Sequence, residues 1–549
     1  MMDFIYSRHG IEGKEKRLER FLEMLPGVLS WAIITGMFAL SILKPLIAAV
    51  FMIAFLFYWL LRIIYMNIFL ILSYARLKIE KETDWMERAR EIDELKPGQP
   101  VFCDLSKISG VKKKIAAIIH CRQLRNLKKS GLPAPLSRDI YHLVIIPVIR
   151  ENIDIVEPGI EAIKNGVYPS GRFLIIIALE EAAPDTVKQD MNKIKDRYRN
   201  DFFDFLITVH PANQQGEARV KGANTTFAAR RAEEYLIEKG IAFENVLVSC
   251  FDADTVANPD YFACLTYYYM ISPNRLRLSY QPIPVYHNNM WDVPGFARIL
   301  DIGTSFFQLI EATNPSKLVT FSSHSISFKV LQEVGYWPPD MISDDSAIFW
   351  KSLIHYEGVY QVRPIYTTVS MDIVTGPTLR KTFISIYRQK RRWAWGVENF
   401  PIVMRAFLKS KKIALRQKFS YVYKLLDSFI SWATWSFLLS LGSWLPVFFA
   451  SREFATSTVY YTAPRIRHIM FGLASVGIII CMIISLLLLP AKRIKYGFLI
   501  KIRHVFEWLL IPVVLLILSA LPALDAQTRL MFGSYMEFRA TEKYRKKPA

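Results

Sequence analysis

The chain has 549 residues, 52% of them hydrophobic and 21% charged, with a formal net charge of +20. A mean hydropathy of +0.20 is unusual for a soluble enzyme of this length and indicates membrane segments. The charged fraction is that of an ordinary globular protein, so apolar spans and a soluble domain should alternate along the chain. Basic clusters flank the apolar segments, which fits the positive-inside rule and anionic lipids, and we expect no nucleic-acid partner because no groove-reading motif accompanies them.

The first elements are a hydrophilic segment over 1–27 and a membrane hairpin over 28–72. Residues 28–43 are apolar, Lys44-Pro45 follows, and 46–72 is apolar apart from Arg62 and a few polar residues. A membrane span needs about 20 apolar residues. The pattern therefore predicts two transmembrane helices joined by a tight turn.

Residues 75–399 contain no stretch of this kind and are predicted to form a soluble domain. Apolar β-rich runs at 143–146, 173–178 and 246–249 end in turns or acidic clusters, and helical stretches such as 218–239 separate them. Alternating strands and helices indicate a doubly wound, mostly parallel α/β sheet, which binds ligands at the carboxyl ends of its strands.

The last third of the chain returns to the membrane. Residues 400–424 mix basic and apolar side chains and predict an amphipathic helix on the membrane surface; an ordinary surface helix is the alternative. Within the membrane region 425–524, the runs 428–450 and 469–489 are long enough to cross. The run 508–524 contains Pro512 and Pro522 and either crosses or is re-entrant, and 525–549 is a basic tail.

Three polar clusters in the soluble block point to chemistry. Asp252 and Asp254 follow an apolar strand, where two carboxylates can bind one Mg²⁺ or Mn²⁺ ion together with substrate phosphates; a solvated loop or helix cap is the alternative. Asp345 precedes a predicted helix and alone would be a cap. The basic and aromatic run 388–396 suits a pyrophosphate and a sugar ring, or alternatively a basic interfacial helix.

In their order along the chain, these segments resemble the membrane-bound family-two glycosyltransferases, the group that includes cellulose, chitin and hyaluronan synthases. The segments that carry the resemblance are Glu180-Glu181, Lys221-Gly222-Ala223-Asn224, Asp252-Ala253-Asp254, Ser343-Asp344-Asp345 and Gln389-Lys390-Arg391-Arg392-Trp393. They stand where the family has its Asp-Asp pair, its Lys-Ala-Gly-Asn stretch, Asp-x-Asp, Thr-Glu-Asp and Gln-x-x-Arg-Trp.

The resemblance implies a GT-A type fold, inversion at the anomeric carbon and a role for each matching residue. Asp252 and Asp254 would hold Mg²⁺ or Mn²⁺, and Asp345 would be the catalytic base. The implied nucleotide-binding residues are Glu151, Glu180, Glu181, Lys221 and Arg392. Gln389 and Trp393 would bind the acceptor sugar.

Some segments depart from the family pattern. Residues 147–151 lack the usual Tyr-Asn before Glu151, and glutamates replace the aspartate pair at Glu180 and Glu181, so the identity of the nucleotide is open. Residues 538–543 are similar to the Phe-x-Val-Thr-x-Lys gating loop of cellulose synthases, with Ala540 in place of Val. A gating loop would place the tail in the cytoplasm and would favour a re-entrant 508–524.

The expected function is transfer of a sugar from a nucleoside-diphosphate donor, most simply a UDP-sugar, to a saccharide or lipid-linked saccharide acceptor. The rivals are a single-addition transferase on a lipid acceptor and a non-catalytic membrane receptor or scaffold on the same fold. The expected location is a bacterial-type inner or plasma membrane, with the catalytic domain cytoplasmic and membrane lipids as partners. Five cysteines without metal-ligand spacing are expected to be reduced, as in a cytoplasm-facing protein.

Overall fold

The structure is a computed structural model that describes residues 4–95, 101, 105–106, 108–489 and 498–537. The strands are β1 (Tyr141–Val148), β2 (Phe173–Glu180), β3 (Asp204–His210), β4 (Val246–Cys250), β5 (Val256–Ala257), β6 (Leu278–Val285), β7 (Ser325–Ser327) and β8 (Gln361–Ser370). The helices up to the end of the soluble block are α1 (Gly13–Leu43), α2 (Pro45–Glu80), α3 (Trp85–Asp93), α4 (Val111–Ser130), α5 (Ile153–Lys164), α6 (Asp185–Tyr198), α7 (Lys221–Glu238), α8 (Tyr261–Met270), α9 (Gly295–Glu311), α10 (Phe328–Glu333), α11 (Asp344–His355) and α12 (Leu379–Ala394). The later helices are α13 (Asn399–Lys409), α14 (Leu415–Phe437), α15 (Leu445–Phe448), α16 (Arg452–Ala455), α17 (Thr458–Leu488), α18 (Phe498–Glu507), α19 (Ile511–Leu515) and α20 (Leu521–Phe532).

The strands form one sheet in the order β3-β2-β1-β4-β7-β6-β8-β5. The pairs β1 with β2, β1 with β4, β2 with β3 and β6 with β8 are parallel. The short strand β7 runs antiparallel to both β4 and β6, and β5 runs antiparallel to β8. The predicted α/β class with a mostly parallel sheet is confirmed, and the parallel half brings the carboxyl ends of β1 to β4 to one edge.

The strands are buried because both faces of the sheet are covered by helices. Along β1, Val144 and Ile146 belong to one apolar cluster, whereas Leu143 and Ile145 belong to another. Successive side chains of a strand point to opposite faces, so the continuous run of branched apolar residues supplies two cores at once.

Four helical segments are long and apolar enough to cross a membrane: α1, α2, α17 and the run Ile502–Phe532. The first two meet at Lys44, where the sequence predicts the tight turn. The hydroxyl of Tyr74 on α2 donates to the carbonyl of Leu487 on α17 (3.3 Å). Nearer the other end of α2, Leu60 shares an apolar cluster with Met470 of α17. The two helices therefore run side by side in the same direction.

The segment before α17 differs from its prediction. Where one interfacial helix over 400–424 was expected, α13 ends at Lys409 and α14 begins at Leu415. Eight of the eleven residues of α13 are buried, because this helix packs on the core of the soluble domain instead of lying open to a membrane surface. The helix α14 then runs to Phe437 and continues as a π turn over Leu438–Gly442.

The direction of α17 determines where α14 runs. Since α2 and α17 are parallel, the chain has to return to the far end of the bundle between α13 and α17. The helix α14 lies beside α2 on that path, and Arg62 of α2 makes a bidentate ion pair with Asp427 of α14, at 3.0 and 2.9 Å. This segment is less apolar than the predicted 428–450 span suggests and is not one of the four apolar candidates.

The run Ile502–Phe532 lies along the soluble domain. Near its start, Glu507 accepts two hydrogen bonds from Arg298 of α9, both 2.6 Å long. Eighteen residues later, Asp525 accepts a hydrogen bond of 2.8 Å from Arg391 of α12. A helix that left the domain at right angles would contact it at one end only. The run thus contacts the domain near both of its ends, and its path relative to a membrane stays a prediction.

Three further expectations concern the ends and the cysteines. Tyr535 donates to the carboxylate of Glu23 (2.9 Å), so the described end of the chain lies beside its beginning. The gating-like residues 538–543 fall outside the described residues.

Cys250, Cys264 and Cys481 carry free thiols, but Cys121 is disulfide-bonded, and the expectation of reduced cysteines is wrong there.

Candidate active site

The candidate residues gather where the parallel strands end. Glu151 follows β1, Glu180 and Glu181 lie at the end of β2, and Asp252 follows β4. In a sheet of this type the helices begin beyond the same edge, which leaves a crevice for a ligand. The local folding is simple, because each strand ends when its apolar run stops and polar residues begin.

Lys221, the first residue of α7, is at the centre of this crevice. Its ammonium donates to Asp252 Oδ1 at 2.9 Å and to Asp345 Oδ1 at 3.1 Å. Burial alone would lower the pKa of Lys221, but the two carboxylates reverse that effect and raise it well above its usual range. Lys221 was predicted to bind a diphosphate. In the structure its ammonium forms ion pairs with both the predicted metal ligand and the predicted base.

The two aspartates of Asp-x-Asp have different surroundings. Asp252 is one-third exposed, and its Oδ2 accepts a hydrogen bond from Ser322 at 2.7 Å. Asp254 is buried, and its Oδ2 accepts a hydrogen bond from the backbone N–H of Asp372 at 3.0 Å. The loop that ends β4 is thus fixed by Asp254, while Asp252 faces the crevice.

Asp344 and Asp345 begin α11 and also differ from each other. The side chain of Asp345 is 24% exposed and faces Lys221, whereas Asp344 is buried, and its Oδ2 has no hydrogen-bond partner among the described residues. Burial first, and then the charge of Asp345, raise the pKa of Asp344 to about 8. The surroundings of Asp344 therefore favour its protonated form.

Helix α12 carries the predicted acceptor residues Gln389 and Trp393. Gln389 is buried, and its Oε1 has no hydrogen-bond partner among the described residues. The ring of Trp393 packs 3.7 Å from the ammonium of Lys390. Lys390 also donates to Asp301 of α9 at 2.6 Å, and both side chains of this ion pair are 3% exposed. The positive charge of Arg392 acts on the pKa of Asp344, so Arg392 lies at the same crevice.

The predicted nucleotide-binding glutamates are bound within their own loops. Glu151 accepts hydrogen bonds from the N–H groups of Ile149 and Arg150, at 2.9 and 3.0 Å. Glu180 contacts Nδ1 of His210 at 3.0 Å. Glu181 accepts a hydrogen bond from the N–H of Ala212 at 2.8 Å. These contacts hold the strand ends in place and leave the residues' role toward a nucleotide a prediction.

Several side chains of the crevice were not predicted. Ser322 and the buried His324 come from the loop before β7, and His324 Nδ1 lies 3.9 Å from Asp345 Oδ1. Burial first, and then Asp301, Asp252 and Asp254, raise the pKa of Tyr286, which places its hydroxyl near these carboxylates. No motif surrounds these residues in the sequence; only the pairing of β7 between β4 and β6 brings their loop to the site.

The carboxylates of the crevice could hold a divalent cation only together with other ligands. Among the residues that the structure describes, no group of three His, Cys, Asp or Glu side chains could hold a metal ion by itself. However, Asp252 already pairs with one cationic atom, Lys221 Nζ, and Asp254 lies two residues further along the same loop. Mg²⁺ and Mn²⁺ are often held by one or two carboxylates plus substrate phosphates, and these two aspartates fit such an ion.

Solved structures with a similar chain path are known. The mannosyltransferase PcManGT from Pyrobaculum calidifontis, in complex with GDP-Man and Mn²⁺, is 12% identical, with a TM-score of 0.36 over 82% of this chain and 99% of its own. TarS 1-349 from S. aureus is 10% identical, with a TM-score of 0.34 over 62% of this chain and 89% of its own. At these scores the likeness carries no argument about the site.

Sequence comparison identifies the family. A poly-β-1,6-N-acetyl-D-glucosamine synthase of Staphylococcus epidermidis is 30% identical over 113 residues, which are 20% of this chain and 23% of that relative. The match thus spans about a quarter of the relative's length. The sequence model described as glycosyl transferase family group 2 matches residues 247–521, half of this chain, from β4 through Asp252, Asp345 and Trp393 into the last helical run. The chain therefore belongs to glycosyl transferase family group 2, and its α/β domain is flanked by helices apolar enough to cross a membrane.

Proposed function

We propose that this protein is an inverting glycosyltransferase that moves a sugar from a nucleoside diphosphate, most simply UDP, to a saccharide or lipid-linked saccharide at the membrane. The observation that carries the proposal is the convergence of Asp252 and Asp345 on Lys221 at the carboxyl ends of the strands. Helix α12 is present at the same crevice with a buried and unsatisfied Gln389 and with Trp393.

The proposed chemistry follows from the charges. Negative charge develops on the leaving diphosphate, and a divalent cation at Asp252 and Asp254 would neutralise part of it. Arg392 adds a fixed positive charge to the same region. Asp345 accepts the proton of the attacking acceptor hydroxyl, a role that requires its ionised form. Trp393 stacks on the acceptor ring, and Gln389 Oε1 accepts a hydrogen bond from one of the ring hydroxyls.

The remaining assignments depend on loop geometry. Lys221 orients Asp252 and Asp345 before the donor binds and is then available to its diphosphate. Glu180 or Glu181 would meet the base, and Glu151 lies at the end of the neighbouring strand. Because glutamates replace aspartates at this position, their longer side chains either shift the base or require a wider pocket, and the donor screen has to identify the nucleotide.

The acceptor and the location are proposed on similar grounds. The relative named above makes a β-1,6-linked N-acetylglucosamine polymer, which favours polysaccharide synthesis over a single addition to a lipid. We place the GT-A domain in the cytoplasm of a bacterial-type plasma membrane, since activated donors are made there. The disulfide at Cys121 counts against a reducing compartment, so accessibility measurements have to decide the side.

The decisive experiment is a donor screen on the purified protein in detergent, with and without EDTA. Transfer should stop in excess EDTA and return with Mg²⁺ or Mn²⁺, and Asp252→Ala should lose the metal response. Full activity in EDTA would contradict the cation site. Sizing the product separates a polymer from a single added sugar. No transfer from any donor by protein that still binds a nucleoside diphosphate would support the scaffold alternative.

A further inference from the structure

A buried carboxylate that the proposed chemistry does not use accepts hydrogen bonds from the loop that carries Asp344 and Asp345. Glu398 follows α12 and is 4% exposed. Its Oε1 accepts hydrogen bonds from the backbone N–H of Ile342 (3.1 Å), the N–H of Ser343 (3.0 Å) and the hydroxyl of Ser343 (2.8 Å). Its Oε2 accepts a hydrogen bond from the indole N–H of Trp395 at 2.9 Å.

These four bonds join two elements of the crevice. Ser343 is the residue before α11, so it sets the position of the first turn, where Asp345 lies. Trp395 directly follows α12, which carries Gln389 and Trp393. Glu398 therefore fixes the distance between the proposed base and the proposed acceptor residues. Ile342 and Ser343 directly precede α11, and a carboxylate that accepts hydrogen bonds from both of their N–H groups is an effective support for the start of this helix.

Asn399 extends the support to the start of the chain. Its amide nitrogen donates to the hydroxyls of Ser343 (2.9 Å) and Ser346 (3.1 Å). Its Oδ1 accepts a hydrogen bond from the buried hydroxyl of Tyr6 at 2.6 Å. Next to Tyr6, the hydroxyl of Ser7 donates to Asp340 Oδ2 at 2.5 Å. The residues ahead of the first membrane helix thus contact the catalytic loop directly.

The same segment is anchored to the domain by charge. Arg8 lies 3.7 Å from Glu398 Oε2, and its guanidinium lies 4.4 Å from the ring centroid of Tyr535. Arg405 of α13 donates to the carbonyl of Ser7 at 2.7 Å and pairs with Glu15 of α1 at 2.7 Å. The first described residues, the domain and the last described residues are therefore in contact with one another next to the loop that carries Asp344 and Asp345.

We infer that Glu398 and Asn399, braced by Tyr6, are positioning residues for Asp345. This inference rests on the proposed role of Asp345 as the base. Their contribution is geometric: they hold the first turn of α11 at the distance from α12 that places the carboxylate against the acceptor hydroxyl. A displacement of about 1 Å in such an arrangement can cost on the order of 100-fold in rate.

The test uses the full-length protein in detergent and two variants that remove one hydrogen-bonding function each. Glu398→Gln keeps the size of the side chain but turns one acceptor oxygen into a donor, which then opposes an N–H group. Tyr6→Phe removes only the hydroxyl that braces Asn399. Tyr356→Phe is the matched control. The buried hydroxyl of Tyr356 donates to Glu333 with a hydrogen bond of 2.5 Å, and this pair is not part of the crevice. We expect kcat to fall about 10- to 100-fold in Glu398→Gln, less in Tyr6→Phe and within twofold in the control, with donor KM nearly unchanged.

A double-mutant cycle separates positioning from general stability. If Glu398 acts through Asp345, adding Glu398→Gln to Asp345→Asn should cost no further activity, because the base is already absent. Multiplied losses would overturn the inference, and so would unchanged kcat in both Glu398→Gln and Tyr6→Phe. If Glu398→Gln does not fold, the cycle is made with Tyr6→Phe. Normal turnover in Asp345→Asn alone would instead refute the proposed function, so the two failures are distinguishable.

Discussion

At the residue scale, the two adjacent aspartates that begin α11 offer a sharp test. Asp344 is buried with its pKa raised to about 8, so at neutral pH it holds its proton. Asp344→Asn replaces a neutral group by another of the same shape and should change turnover by only a few-fold. Asp345→Asn removes the proposed proton acceptor and should lower kcat by about 100-fold or more. Steady-state kinetics on both variants, with nucleotide affinity by calorimetry, checks this.

The control in this comparison is the thermal stability of the two variants. Both variants should keep their thermal midpoint within a few degrees, because asparagine also serves at the start of a helix. Equal loss in the two variants, or near-normal turnover in Asp345→Asn, would contradict the assignment of the base.

Sequence reasoning at this scale found the residues with motifs and missed those without. Asp252, Asp254 and Asp345 could be named because acidic residues follow strands or precede a helix at recognisable spacings. Ser322 and Glu398 could not, since a single serine or glutamate in a polar loop carries no pattern. Their contacts depend on chain segments more than 50 residues apart in sequence, which only the packed sheet brings together.

At the element scale, the ion pair between α9 and α12 should be costly to break. Asp301 and Lys390 are each 3% exposed, and burial lowers the pKa of Lys390 while Asp301 raises it. Asp301→Ala leaves a buried ammonium without its partner and should reduce stability by about 3–5 kcal/mol. It should also weaken acceptor use, because Lys390 packs on the ring of Trp393.

The matched variant removes both charges. Asp301→Leu combined with Lys390→Met should recover most of the lost stability, because apolar residues of similar volume can replace a buried pair. Thermal unfolding in detergent measures both effects. If Asp301→Ala is as stable as the unmodified protein, the ion pair contributes little to the free energy of unfolding.

Helices were harder to predict than strands. The strands β1, β2 and β4 follow from continuous apolar runs with turns on both sides. The sequence of the run Ile502–Phe532 predicts a membrane span, because composition indicates how apolar a helix is but not which elements it packs against. Its hydrogen bonds to Arg298 and Arg391 depend on tertiary structure and leave no periodicity in the sequence.

At the scale of the whole molecule, the packing predicts four crossing segments, α1, α2, α14 and α17, with the last run beside the domain. The first and last described residues then lie on the side of the catalytic domain. Thr456→Cys, in the exposed turn before α17, should react with a membrane-impermeant maleimide on intact cells. Ser534→Cys, exposed after α20, should react only after the membrane is opened.

The unmodified protein is the control for background labelling of its own cysteines. Labelling of Ser534→Cys from outside would make the run Ile502–Phe532 a crossing helix. Labelling of both sites only in opened cells would place the 450–457 turn on the inner side and contradict the path through α14.

The helix α2 continues without a break from the membrane hairpin into the catalytic domain. It begins at Pro45 and ends at Glu80, which is buried and accepts hydrogen bonds from Tyr268 of α8 and from Arg76. Thirty-six residues at 1.5 Å each make a rod of roughly 54 Å, longer than the hydrocarbon core of a bilayer. A stiff rod held at its domain end would carry a change in bilayer thickness or tilt into the domain, so we expect the activity to depend on the lipid composition of the host membrane.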